Sequence, residues 1–196
     1  MDNKKMLIVV DPQIDFISGT LPVPGAAQAM DRLADYIKAH AADYALMVVT
    51  NDWHPYDHCS FAPNGGPWPV HCVQYSEGAA TYMPLLEALY GSATPVLFLQ
   101  KGDLAHKEEY SIVQNSAARE FFDHTINSAN EDAAANLYQE IHVCGIAGDV
   151  CVLNTLRDLL PLAGAERVVV LPALSPSLDG GKALLSFIAE NQLRTL

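Results

Sequence analysis

The chain has 196 residues, half of them hydrophobic, and 23 Asp and Glu against 11 Lys and Arg give it a formal net charge of −12. That length suits one domain, 1–196, with a full core, and the hydrophobic share without low-complexity runs excludes a disordered chain. The few basic residues are scattered, which excludes the basic face that nucleic-acid phosphates require.

The chain opens "MDNKKMLIVVDPQ". Its apolar run is too short for a signal peptide and is interrupted by Asp11. No window approaches the roughly 20 apolar residues of a membrane span. A cytoplasmic protein with no membrane partner is therefore expected. In that compartment Cys59, Cys72, Cys144 and Cys151 are free thiols or metal ligands, not disulfides.

"MLIVV" (6–10) reads as the first buried strand. The helix "AAQAMDRLADYIKAHAA" follows, with Ala27, Met30, Leu33, Ala34 and Ile37 as its apolar stripe. "ALMVVT" (45–50) is the second strand, and "MPLLEALYG" is a helix stopped by glycine. "PVLFLQ" (95–100), "SAAREFFDH", "IHVCG" (141–145), "VCVLNTLRDLLPLAG" and "RVVVL" (167–171) continue the alternation, and "GGKALLSFIAE" is a last helix. The final four residues are barely long enough for a sixth strand. The strands are rich in Val, Ile and Leu without polar alternation, as in a parallel sheet covered on both faces. The expected fold is α/β: a doubly wound, mostly parallel sheet with helices on both faces.

In such sheets ligands bind beyond the carboxyl ends of the strands. Asp11 follows strand one. Asn51, Asp52 and His54 follow strand two, Lys101 follows strand three, and the turn carrying Cys151 follows strand four. An acid, a cation, a thiol and a donor cluster thus share one rim.

Each residue has a plain alternative. Cys151 could be core filler, as free cysteine often is. At a helix N-terminus, however, its thiol pKa is expected to fall and the N–H groups there can hold an oxyanion. Cys144, inside a strand, reads as core. Asp11 could be a turn residue, but beside a thiol of pKa about 8.5 it would serve as a general base. Lys101 could be a solvated surface lysine; at the end of a buried strand it would steady a thiolate or an oxyanion. Asp15 lies farther into the loop and reads as structural.

The densest stretch is "NDWHPYDHCSFAPNGGPWPVHCVQ". Asp52 and His54, two apart in extended chain, point to one face. With His58 and His71 they suit one catalytic divalent metal, Zn²⁺, Fe²⁺ or Mn²⁺. Cys59 and Cys72 adjoin two of these histidines, so a closed Cys/His zinc site is the rival arrangement. Phe16, Trp53 and Trp68 flank the clusters, where a flat ring would lie.

The set "DPQIDF", "NDWHPYDHCSFA", "WPVHC", "KGD…EEYSI" and "VCGIAGDVCVLNT" resembles the nicotinamidases among the isochorismatase-like cysteine hydrolases. The likeness runs from about residue 5 to 171, with the motifs in order. It implies a catalytic triad of Asp11, Lys101 and Cys151. It implies metal ligands Asp52, His54 and His71, most simply for Zn²⁺, with His58 as a fourth in some relatives. It further implies a cis peptide between Ile146 and Ala147, with the N–H groups of Ala147 and Cys151 as the oxyanion hole. Phe16 and Trp68 would sandwich a pyridine ring. The activity implied is hydrolysis of nicotinamide to nicotinate and ammonia in NAD salvage, with pyrazinamide as a second substrate. Another small amide or ureido compound is the alternative substrate, and a homo-oligomer is left open. This chain departs from the family pattern at Gly148, where threonine is usual, and in its C-terminal tail.

Overall fold

The computed structural model describes residues 5–127 and 138–196. Its sheet has six strands: β1 Lys5–Val10, β2 Tyr44–Asp52, β3 Val96–Lys101, β4 Glu140–Gly145, β5 Val168–Val170 and β6 Arg194–Thr195. Their order is β3-β2-β1-β4-β5-β6, and every pairing is parallel. The expected five strands are present, and the chain end supplies the sixth as a two-residue strand paired with β5.

Side chains alternate across the strands and both faces are covered. Leu7 and Val9 of β1 pack with Met30, Leu33 and Ile37 of helix α2 (Ala26–His40). Met6, Ile8 and Val10 pack on the opposite face with Phe122 of α4 (Ser116–Asn127) and Leu156 of α5 (Leu153–Ala163). Each such leucine contributes roughly 1.5–3 kcal/mol by leaving water. The α2 stripe differs from the expected one by one position. Ala27 is exposed, and Ala26 and Ala29 are buried in its place. The remaining helices are a short α1 (Ile14–Ile17), α3 (Met83–Tyr90) and α6 (Lys182–Glu190).

From β1 the chain builds outward to β2 and β3, then returns to place β4 on the other side of β1. The strand order reverses between β1 and β4, which opens a crevice beyond their carboxyl ends. Asp11 leaves β1 and the turn before α5 leaves β4, so the switch point brings residues 11 and 151 to one place.

Candidate active site

Asp11 directly follows β1 in a left-handed conformation, φ 46°, which costs a non-glycine residue energy and is tolerated where the surroundings over-determine it. Here Thr50 of β2 does so. Its carbonyl accepts from the Asp11 N–H at 3.0 Å, and its Oγ1 donates to Asp11 Oδ1 at 2.7 Å. The other carboxylate oxygen lies 2.9 Å from Nζ of Lys101. Lys101 is fully buried. Its ammonium also pairs with Oδ1 of Asp52 and reaches Sγ of Cys151 at 3.7 Å.

Burial alone would discharge this lysine, but Asp11 and Asp52 outweigh it and hold its pKa well above the ordinary value. Burial raises the Asp11 carboxyl, with Lys101 opposing. Asp52 stays low: burial pushes it up, and Lys101 and His54 more than reverse that. Cys151 corrects an expectation. It does open a helix, on a π-type turn (Gly148–Val152) leading into α5. Yet its thiol is raised well above the usual range, because burial outweighs Lys101. Burial thus favours the thiol over the thiolate at Cys151 and raises the proton affinity of the Asp11 carboxylate near it.

On the other side of Asp52 lie the imidazoles. Asp52 Oδ2 is 3.6 Å from Nε2 of His54 and 4.0 Å from Nε2 of His71. The three donor atoms all lie within 4.8 Å of one another. His54 Nδ1 contacts the carbonyl of Gly102 at 3.0 Å, and His71 Nδ1 that of Pro69 at 2.7 Å. A carbonyl only accepts, so Nδ1 of each ring carries a proton and Nε2 is the atom each ring turns toward Asp52, free to ligate when the imidazole is neutral. Carbonyl-held tautomers of this kind orient metal ligands. Two nitrogens and a carboxylate, with room for further ligands, fit an open divalent transition-metal site.

His58 stands apart from this cluster. Its Nε2 donates to the carbonyl of Lys107 at 3.0 Å, and its Nδ1 takes the Ser60 hydroxyl at 2.7 Å. Both ring nitrogens are engaged, and the ring stacks on His54 with centroids 4.0 Å apart. His54, His58 and His71 all pack edge-on around the buried Phe61. Among the described residues, Cys59 and Cys72 join no donor cluster, which leaves no support for the closed zinc arrangement. The Cys72 N–H instead donates to Asp15 at 2.7 Å, giving Asp15 the structural place expected of it.

A cavity opens above Cys151, lined by Phe16, Trp68, His71, Asp52, Tyr110 and Ala147 among others. Phe16 and Trp68 are thus at the pocket, as the resemblance implies. Trp53 is not: it packs on Tyr75 and faces a different groove. The peptide between Ile146 and Ala147 is cis, and the Ala147 N–H has no acceptor among the described residues.

Sequence reading missed several supports. Gln13 brackets Asp52, donating to its carbonyl at 2.7 Å and accepting from its N–H at 2.7 Å. Trp68 Nε1 donates to the Tyr110 hydroxyl at 3.0 Å, fixing the indole at the pocket wall. Glu109, buried, accepts from the Gly102 N–H at 2.9 Å and so braces the residue that holds His54. Gly102 has φ +66°, and a Cβ there would come 2.5 Å from the His54 ring. Gln13 stands in "DPQIDF", Gly102 in "KGD", and Glu109 and Tyr110 in "EEYSI", so the motifs held these residues without showing what they hold.

A doubly wound parallel sheet with an acid, a lysine and a thiol converging at its switch point defines an α/β protein of cysteine-hydrolase type. The isochorismatase domain matches residues 5–175, and the chain belongs to that family. It is 36% identical over 170 residues to the nicotinamidase/pyrazinamidase of Mycobacterium tuberculosis, covering 85% of this chain and 84% of the relative. The structure of the pyrazinamidase of Pyrococcus horikoshii in complex with zinc superposes with a TM-score of 0.80 at 28% identity, covering 98% of each chain. The structure of PnC1 from L. infantum in complex with nicotinate gives a TM-score of 0.80 at 27% identity, covering 100% of this chain and 93% of the other.

Proposed function

We propose that this protein is a metal-dependent cysteine amidohydrolase that converts nicotinamide to nicotinate and ammonia, acting in NAD salvage and accepting pyrazinamide as well. The observation that carries the reading is the placement of Asp52. One of its oxygens holds Lys101 of the Asp11–Lys101–Cys151 set, and the other faces His54 and His71. Amide chemistry and a ring anchor then meet in one pocket walled by Phe16 and Trp68. The named activities of the relatives support the substrate. We read residues 1–196 as one domain, cytoplasmic, with a small molecule as its partner.

Asp11 takes the thiol proton as Sγ of Cys151 attacks the carboxamide carbon. Lys101 offsets the charge that develops on sulfur. The N–H groups of Ala147 and Cys151 hold the oxyanion; loss of one such donor costs about 10² to 10³ in rate. The C–N bond breaks as Asp11 returns the proton to nitrogen, releasing ammonia. Water then attacks the thioester, Asp11 accepts its proton, and the thiol is restored as nicotinate leaves. A divalent transition metal bound by Asp52, His54 and His71, read as Zn²⁺ because a related pyrazinamidase was solved with zinc, would supply a Lewis-acidic anchor for the pyridine nitrogen.

The test compares nicotinamide with benzamide, which keeps the shape and the carboxamide but lacks the ring nitrogen. Sites built for a polar atom reject analogues that lack it. Benzamide is expected to be poorer by at least about 10² in kcat/KM. In His54→Ala the nicotinamide rate should fall toward the benzamide rate. Equal wild-type rates on the two amides would refute ring anchoring.

A further inference from the structure

The segment after β5 carries no motif of the site in sequence, yet the fold returns it to the pocket. Leu178 lines the same cavity as Phe16, Trp68 and Cys151 while remaining 41% exposed, which places it at the rim. Its backbone is held to the turn that carries the thiol. The Gly148 N–H donates to the Pro176 carbonyl at 2.8 Å. Leu178 N–H donates to Asp149 Oδ1 at 3.0 Å, and Asp179 N–H to Asp149 Oδ2 at 2.9 Å. Asp179 then accepts from the N–H groups of Gly181, Lys182 and Ala183, which starts α6. The approach is close: a Cβ on Gly148 would stand 2.6 Å from the Ser175 carbonyl oxygen. Glycine at that position is what lets the segment seat this closely.

We propose that Leu178 is a specificity-determining residue, the wall that limits which substituents an aromatic carboxamide can carry on its ring. The inference rests on the amidase reading above. Leu178 brings no polar group to the cavity, and Leu21 and Val23 add two more apolar side chains to the same lining. The selection Leu178 can make is therefore by size. Because its backbone is bonded to residues 148 and 149, the wall is anchored to the turn that carries Cys151. In a hydrophobic pocket one methyl group is worth about 10- to 200-fold.

The experiment measures kcat/KM for nicotinamide, 5-methylnicotinamide and 6-methylnicotinamide with wild type, Leu178→Ala and Leu178→Phe. The methyl-to-parent ratio is expected to rise about tenfold or more in Leu178→Ala for at least one methylated substrate. It should fall for that same substrate in Leu178→Phe. Melting curves on both variants verify that they fold, and a half-exposed rim residue is a mild place for either change. Ratios that stay within about twofold of wild type in both variants, with nicotinamide still hydrolysed, would overturn the wall. Wild-type protein that hydrolyses none of the three amides would instead overturn the amidase reading, and the wall with it.

Discussion

Lys101 and Asp52 form a fully buried ion pair in which the lysine takes Oδ1 of the carboxylate and leaves Oδ2 facing His54. One side chain thus serves both halves of the site. Asp52→Asn keeps the shape and removes the charge, so both halves should fail together. Metal affinity is expected to drop at least about 10²-fold, and ammonia release should be lost as well. In His54→Ala the metal should be lost while Lys101 keeps both carboxylates. Elemental analysis per chain, set beside turnover, separates the two variants. Full metal content in Asp52→Asn would contradict the shared role.

Two buried cysteines allow a direct contrast. Cys144 is fully buried within β4, its sulfur against the Ile8 carbonyl at 3.9 Å, far from any charge partner. Cys144→Ala should keep most activity and cost about 1 kcal/mol of stability. Cys151→Ala should abolish ammonia release while nicotinamide still binds, as calorimetry would read. Because burial raises the Cys151 thiol and hides its sulfur, iodoacetamide should alkylate the half-buried Cys59 before Cys151. Peptide mapping by mass spectrometry checks the order.

His58 tests how a tautomer decides ligation. With its Nε2 proton on Lys107 and its Nδ1 lone pair on Ser60, His58→Ala should leave metal content near the wild-type value. It should lower stability through the lost bonds and the lost packing on Phe61, by about 1–3 kcal/mol, read as a fall in Tm. His71→Ala should show the reverse weighting, with metal lost. A His58→Ala protein stripped of metal would make His58 a ligand after all.

Acid stability should depend on Glu140. Arg194 of β6 chiefly, then His142 and Lys5, pull its carboxyl down from the ordinary 4.5 to about 2, against partial burial. A group depressed on folding stabilises the fold above its unfolded pKa, and that contribution is lost as pH falls through the folded value. Glu140 should therefore contribute about 1 kcal/mol at neutral pH, discounted for its partial exposure. That contribution fades between pH 4.5 and about 2. Glu140→Gln should be less stable than wild type at pH 7 in urea melts, and the gap should close toward pH 2. A gap that does not change with pH would point to packing rather than charge.

The strands, the helices between them and the rim residues were legible because each depends on local pattern. Five apolar runs without alternation specify a covered parallel sheet, and the residue after each strand must stand at its carboxyl edge. That rule puts Asp11, Asp52, Lys101 and the turn carrying Cys151 at one rim, and the family resemblance supplied the role of each. What the sequence could not carry is partnership across distance. Thr50 steadies Asp11 from 39 positions away, and Gln13 brackets Asp52 across the same interval. Local pattern put His58 among the donors. The nearby Ser60 takes one of its nitrogens, and only the tertiary contact with Lys107, 49 positions on, takes the other. Helix-start chemistry argued for a lowered Cys151 pKa, but the depth of burial, a property of the whole packed domain, set the opposite sign. The tail is the clearest case. Nothing in "LSPSLDGG" marks a pocket wall, and Leu178 becomes one because Gly148 and Asp149, nearly thirty residues earlier, hold its backbone against the turn that carries the thiol.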